Sequence, residues 1–370
     1  MARTKYLSLL LLPLFASCSS INWWWEDDDS ANADRPSYSQ SRDRVYLASA
    51  RRHLAMGDSA AARRELTQLS ADAQTVDVNL LLAESYLREG DLDSADHELV
   101  AAAEMEPLDP RVDMLRGVLA ESVGDWLEAG KAYQAAAGKD SSDNKAVLSL
   151  ARIFHATGDG VRATSYLERE ISLRPMDFDL SLAAGRAYQS VGSHFDAITH
   201  FSLATEIEPS SMYAREGLIL SLSLAGQHRE ALNISSDLGP EELGEGTCLA
   251  LGRSALLADE PLRSVSMLTR YLHQFQKDSA AWLDLSRAYY LADNLKMSLN
   301  ATGRTLKLDP HNYAAFTMIG HIRLRAKQYD LAFKAYNSAI LAGGDAFLLT
   351  ELMDRATEAR KRAEAEQGEL

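Results

Sequence analysis

One column of small residues constrains this chain more than any other feature. Ala62, Ala95, Ala129, Ala163, Ala197, Ala231, Ser264, Ser298 and Ala332 follow one another at steps of 33, 34, 34, 34, 34, 33, 34 and 34 residues. Five residues upstream stands a second column: Gly57, Gly90, Gly124, Gly158, Gly192 and Gly226, then Asp259, Asp293 and Lys327. Seven further upstream is a third: Ala50, Ala83, Gly117, Ala151, Gly185, Ile219, Gly252, Ser286 and Gly320. Pro107, Pro175, Pro209 and Pro310 mark the exits. Each column has a physical cause. Glycine ends a helix in the left-handed conformation at little cost, so the second column marks a turn between two helices. Small side chains in the other two let the helix backbones approach closely, and proline cannot continue the second helix. Between these marks, apolar residues recur at helical spacing, as in Leu82, Tyr86 and Leu99, or Leu285, Tyr289 and Leu306. A period held over about 300 of 370 residues specifies a stack of two-helix units rather than a single globule.

The units begin near Asp43, Val76, Pro110, Asn144, Phe178, Met212, Glu245, Ser279 and Tyr313. The clearest reads Ala281-Trp282-Leu283-Asp284-Leu285-Ser286, then Tyr289, Ser298 and Pro310. On these residues the chain resembles the tetratricopeptide repeat (TPR), a helix–turn–helix of about 34 residues. The resemblance implies an all-α fold: a right-handed α-solenoid of about nine repeats over residues 43–346, the first helix of each pair lining a concave side. The sixth unit departs most, with Ile219 in the small column and Gly239-Pro240 where its second helix should continue; a shortened helix or a bend is expected there. Over 347–363, Leu348, Leu349, Leu352, Met353 and Ala356 form one stripe, which suits a capping helix within 347–370, frayed from Glu364 onward.

In this family the concave side binds peptides or protein segments. One residue beyond the third column stand Arg51, Arg152, Arg186, Arg253 and Arg287, and three before it Leu148, Leu182, Leu249 and Leu283. With Tyr290, these form the candidate groove. Arginine's fork suits carboxylates and its flat face stacks on aromatics. One reading is a groove for a partner segment with acidic beside apolar groups. The other is that the arginines pair with acids of neighbouring helices and merely solvate the face. The family's clamps for acidic chaperone C-termini need asparagine and lysine where this chain has arginine or apolar residues, so that activity is not carried over. The asparagine ladder of the glycosyltransferase-linked arrays is missing too.

The N-terminus points to a location. Arg3 and Lys5 precede about eleven mostly apolar residues, Tyr6 to Ala16, too few for the roughly 20 that cross a bilayer. Leu14-Phe15-Ala16-Ser17-Cys18 resembles the bacterial lipobox, with Phe15 where leucine is usual. The resemblance implies a signal peptide over 1–17 and lipidation of Cys18; an ordinary cleaved signal, leaving a periplasmic or secreted protein, is the alternative. Ser19 after the cysteine implies the outer membrane, periplasmic face. Two or more acyl chains make such anchoring stable. Removing residues 1–17 shifts the net charge from −15 to −17. Residues 18–42 read as a flexible tether, poor in anything to bury. As a coil, residues 19–41 reach roughly 25–30 Å. Trp23, Trp24 and Trp25 either hold it at the headgroup zone or dock on the first helices.

Chemistry is not written here. None of the nine histidines stands in an H-E-x-x-H pair, His194 and Asp196 read as solvated turn residues, and Cys248 reads as a buried, inert thiol. No phosphate-binding, dinucleotide-binding or nucleophile-elbow motif occurs. We expect no enzyme, metal or cofactor. A net charge of −15 argues against nucleic acid as the main ligand. In plan the chain resembles lipoproteins that assist type IV and tight-adherence pilus assembly. The expected function is a membrane-anchored scaffold that binds protein segments and aids assembly of an envelope machine such as a pilus or secretion system. The alternative is an accessory subunit recruiting a cell-wall hydrolase, a protease or a polysaccharide-export enzyme. Self-association through terminal units is also open.

Overall fold

The computed structural model describes residues 38–70, 73–140 and 142–368. The signal peptide, Cys18, Trp23 to Trp25 and the tether as far as residue 37 lie outside the described residues. Among the described residues the regular elements are all helical. The first unit pairs α1 (Tyr38–Ala55) with α2 (Ser59–Leu66), and the second α3 (Val76–Glu89) with α4 (Leu92–Met105). Next come α5 (Pro110–Ser122) with α6 (Trp126–Lys139), and α7 (Asn144–Ala156) with α8 (Gly160–Leu173). Then α9 (Phe178–Ser190) precedes α10 (His194–Ile207), and α11 (Met212–Leu224) precedes α12 (His228–Ile234). The last pairs are α13 (Glu245–Leu257) with α14 (Pro261–Gln274), α15 (Ser279–Leu291) with α16 (Leu295–Leu308), and α17 (Tyr313–Arg325) with α18 (Tyr329–Leu341); α19 (Ala346–Gly368) follows. From α3 onward, every first helix starts at the residue that the period marks. The helix α1 starts at Tyr38, ahead of Asp43.

Local chemistry sets these boundaries. Side chains before the helices accept otherwise unpaired N–H groups: Asp58 from Ala61 at 2.9 Å and Asp278 from Ala281 at 3.0 Å. The glycine column ends the first helices in the left-handed region, with φ between 77° at Gly124 and 81° at Gly57. Where glycine is replaced, the backbone keeps that conformation: φ is 63° at Asp259, 60° at Asp293 and 58° at Lys327. The turn is therefore fixed by the packing of the two helices and not by the residue at its tip.

The Cα packing divides the chain into two compact units, one ending at Leu173 and one beginning at Arg174. Unit one holds α1–α8. Its apolar clusters sit inside and between neighbouring pairs, for example Ala50, Leu54, Ala62, Leu66, Val78 and Leu81. Unit two holds α9–α19 and is built the same way. Its largest cluster surrounds the irregular sixth pair, with Ile219, Leu222, Leu232, Leu243 and Cys248. There α12 spans 7 residues where α10 spans 14, and a 3-10 turn at Pro240–Glu242 follows. Two arginines cover the early end. Arg263 donates to the Leu232 and Ser235 carbonyls at 2.9 and 2.8 Å, and Arg215 donates to the Ile234 carbonyl at 2.9 Å. At the C-terminal side, Leu349 and Ala356 of α19 are buried against Ala332, Tyr336 and Ala339 of α18. Leu348, expected in the same stripe, is 54% exposed. The helix α19 extends to Gly368.

Candidate functional site

In unit two the first helices α9, α11, α13, α15 and α17 lie side by side, each in contact with the next. Their outward faces make a wall. It carries the predicted arginines because the third column points into the hairpin, and the residue after it turns about 100° toward solvent. Arg186, Arg253 and Arg287 are all exposed. Arg253 and Arg287 come from neighbouring helices and meet at one carboxylate: Nε of Arg253 lies 2.9 Å from Asp284, and Nη1 of Arg287 lies 3.0 Å from it. Arg186 instead lies over the Tyr213 ring, 6.0 Å from its centroid.

Unit one neutralises its arginines. Arg51 reaches Asp77 at 3.1 Å, and the same carboxylate takes Arg111 at 2.7 Å. Arg152 grips Glu121 with two bonds of 2.6 and 2.5 Å, and the Tyr133 hydroxyl donates to Glu121 at 2.5 Å. Burial, chiefly, and the Glu121 charge push the Tyr133 phenol above its ordinary range. A cavity of about 770 Å³ opens beside Met105, Leu108, Arg111, Met114 and Lys145. Its cations already have partners: Arg111 holds Asp109 at 2.7 Å, and Lys145 lies 3.9 Å from Asp143.

The leucines predicted with the arginines serve the interior more than the wall. Leu283 is buried and packs with Met318 and Ile322. Leu182 and Leu249 are half-buried against the clusters around Ile219 and Leu268, and Leu148 is half-buried in unit one. Tyr290 is half-buried under Arg325, whose guanidinium lies 4.9 Å from its ring centroid. The structure thus joins Arg253 with Arg287 through Asp284 and keeps Arg51 and Arg152 in separate ion pairs. It also shows a row not recognised in the sequence. Leu224, Leu257 and Leu291, in the last turns of α11, α13 and α15, are 52%, 71% and 45% exposed. Their signal was available: each stands five residues after the third column.

Cys248 is fully buried, its Sγ 3.4 Å from the Pro240 carbonyl, and burial pushes the thiol up to about 11. Among the described residues no group of three or more histidine, cysteine, aspartate or glutamate side chains is placed to hold a metal ion. No described helix is long and apolar enough to cross a membrane.

Two family models match this chain. One, described as tetratricopeptide repeat, matches residues 47–110 and 80–144. The other, described as ChAPs (Chs5p-Arf1p-binding proteins), matches residues 143–344, more than half of the chain. A search of the curated proteins finds no match. Among solved structures, the C-terminal part of a TPR repeat-containing protein from Cytophaga hutchinsonii is 15% identical; 65% of this chain and 99% of that one are covered, with a TM-score of 0.51. A tetratricopeptide repeat protein from Parabacteroides merdae is also 15% identical, over 76% of this chain and 98% of that one, with a TM-score of 0.39. YrrB, described as a TPR protein with an unusual peptide-binding site, is 15% identical over 60% of this chain and 98% of that one, with a TM-score of 0.38. At 15% identity the likeness to the Cytophaga hutchinsonii protein is one of fold. Because the models together follow residues 47–344, over the same helical pairs that set the period, the chain belongs to the tetratricopeptide repeat family and, across residues 143–344, to the ChAPs family.

Proposed function

We propose that this protein is a non-enzymatic scaffold that holds segments of other proteins against the first-helix faces of its repeats, from a lipid anchor at Cys18 on the periplasmic face of a bacterial outer membrane. Its fold is that of a protein-binding repeat array. One observation carries the reading: on unit two, exposed arginines stand beside an exposed leucine row that recurs from pair to pair. A face that only sealed a core would not repeat exposed apolar side chains in register, and such rows mark interaction surfaces.

The anchor rests on the sequence of residues 14–18 and on the serine that follows. The plan of lipobox, short tether and repeat array supports a role in assembling an envelope machine such as a pilus or secretion system. Cys18→Ser tests the location: it is expected to move the protein from the membrane to the soluble periplasmic fraction, and an unchanged distribution contradicts the anchor. Crosslinking in intact cells, followed by identification of the attached peptides, tests the task. Pilus or secretin components bonded to first-helix residues are expected; no protein attached to any first-helix position contradicts the scaffold.

A further inference from the structure

The wall of unit two has a charge surplus and a regular spacing, and together they select a ligand. Arg253 and Arg287 share the single carboxylate of Asp284, which leaves one guanidinium in excess. Arg186 has no carboxylate within 4.0 Å among the described residues and rests on Tyr213. Glu216, on the next first helix, is engaged by the Gly244 N–H at 2.5 Å. A neutral N–H cancels no charge, so the three guanidiniums of Arg186, Arg253 and Arg287 stand against two carboxylates, Asp284 and Glu216, a surplus of one positive charge in a chain of net charge −15. One turn beyond Arg253 and Arg287, on the same helices, stand Leu257 and Leu291, and Leu224 continues that row on α11. Two parallel rows, one cationic and one apolar, cross the helices.

Packed helices lie about 8–10 Å apart. A ligand crossing them must present a matching side chain at each such step. An extended segment covers about 10 Å in three residues, an odd number, so successive contacts would come from opposite faces. An α-helix rises about 10.5 Å in seven residues and returns to nearly the same face. Helical spacing fits and extended spacing does not.

We propose that the wall of unit two binds an amphipathic α-helix of a partner protein, with carboxylates fourteen and then seven residues apart against Arg186, Arg253 and Arg287 and an apolar stripe against Leu224, Leu257 and Leu291. Leu220 of α11 stands in line between Arg186 and Arg253, so the slot facing it is apolar. The partner's register across the four helices α9, α11, α13 and α15 is acidic, apolar, acidic, acidic. This inference rests on the scaffold reading and narrows it to one wall and one ligand chemistry.

The test titrates two fluorescently labelled designed peptides against the full mature chain by anisotropy, at about 0.15 M salt to screen loose surface attraction. One peptide carries the register above. The other has the same composition with its acids at alternate positions. The first is expected to bind at least about tenfold more tightly, a difference of about 1.4 kcal/mol. Arg186→Glu breaks no internal ion pair, so it is expected to weaken that peptide at least about tenfold with the helical circular dichroism unchanged. A peptide with lysine in the first slot is expected to recover binding to that variant. Equal affinity of the two peptides, an Arg186→Glu variant that binds as before, or failure of both peptides to bind overturns the inference. The scaffold reading falls separately, through an absence of first-helix crosslinks in cells.

Discussion

At the scale of single residues, each hairpin is sized by two side chains sixteen positions apart. Gly117 faces Tyr133, Gly185 faces Phe201, Gly252 faces Leu268 and Gly320 faces Tyr336, each so closely that a Cβ would collide with the ring or branch. Where the first member is alanine, the second is leucine, as in Ala50 with Leu66 and Ala83 with Leu99. Ser286 pairs with Thr302 through a 2.5 Å hydroxyl contact. The sixth unit reverses the order, with Ile219 large and Ser235 small, both fully buried. The sequence marked Ile219 as a departure. Its compensation was illegible because complementarity belongs to the pair and not to either column. Gly117→Ala is expected to destabilise the protein by about 1–3 kcal/mol through overpacking. Adding Tyr133→Leu should restore part of the loss, because alanine with leucine is the pairing found elsewhere; urea unfolding of the double-mutant cycle measures the coupling. Lys327 holds φ at 58°, which costs an L-residue about 1–2 kcal/mol. Lys327→Gly is expected to stabilise by about 0.5–1 kcal/mol after glycine's own entropy is subtracted, seen as a higher thermal midpoint.

At the scale of elements, the first helices from α3 onward were legible because the turn residues and the small columns agree on them. The interruption after α12 was legible as well, since Gly239 and Pro240 cannot extend a helix. How the interruption is tolerated was not. The carbonyls of a helix that stops early need donors, and these come from Arg263, 28 residues on from Ser235, and Arg215, 19 before Ile234. No local pattern announces donors at such distances. Arg263→Ala removes the donors to two carbonyls and to the Ser235 hydroxyl. It is expected to destabilise by about 1–3 kcal/mol, with amide exchange rising first in residues 228–243 and staying slow in α17 and α18. Uniform exchange across unit two would contradict that local role.

At the scale of the whole molecule, the repeat and the arginines were legible in the sequence but their ion-pair partners were not. The acids that pair with them hold no constant place in the repeat. Arg51 reaches forward 26 residues to Asp77, Arg152 reaches back 31 to Glu121, and Arg253 reaches forward 31 to Asp284. A broken ladder, interrupted at Glu84, Val118, Leu220 and His321, is therefore ion-paired at Arg51 and Arg152 in unit one and left with surplus charge on the wall of unit two. On this wall, in our proposal, polypeptide partners are held. Photo-crosslinking amino acids placed in living cells at Leu257 and Leu291, with Leu127 and Val161 on second helices as apolar controls at least as exposed, test this. Discrete adducts are expected at Leu257 and Leu291, lost in the Arg186→Glu, Arg253→Glu, Arg287→Glu triple variant, and none at the controls. Adducts confined to Leu127 and Val161, or wall adducts indifferent to the three reversals, would contradict it.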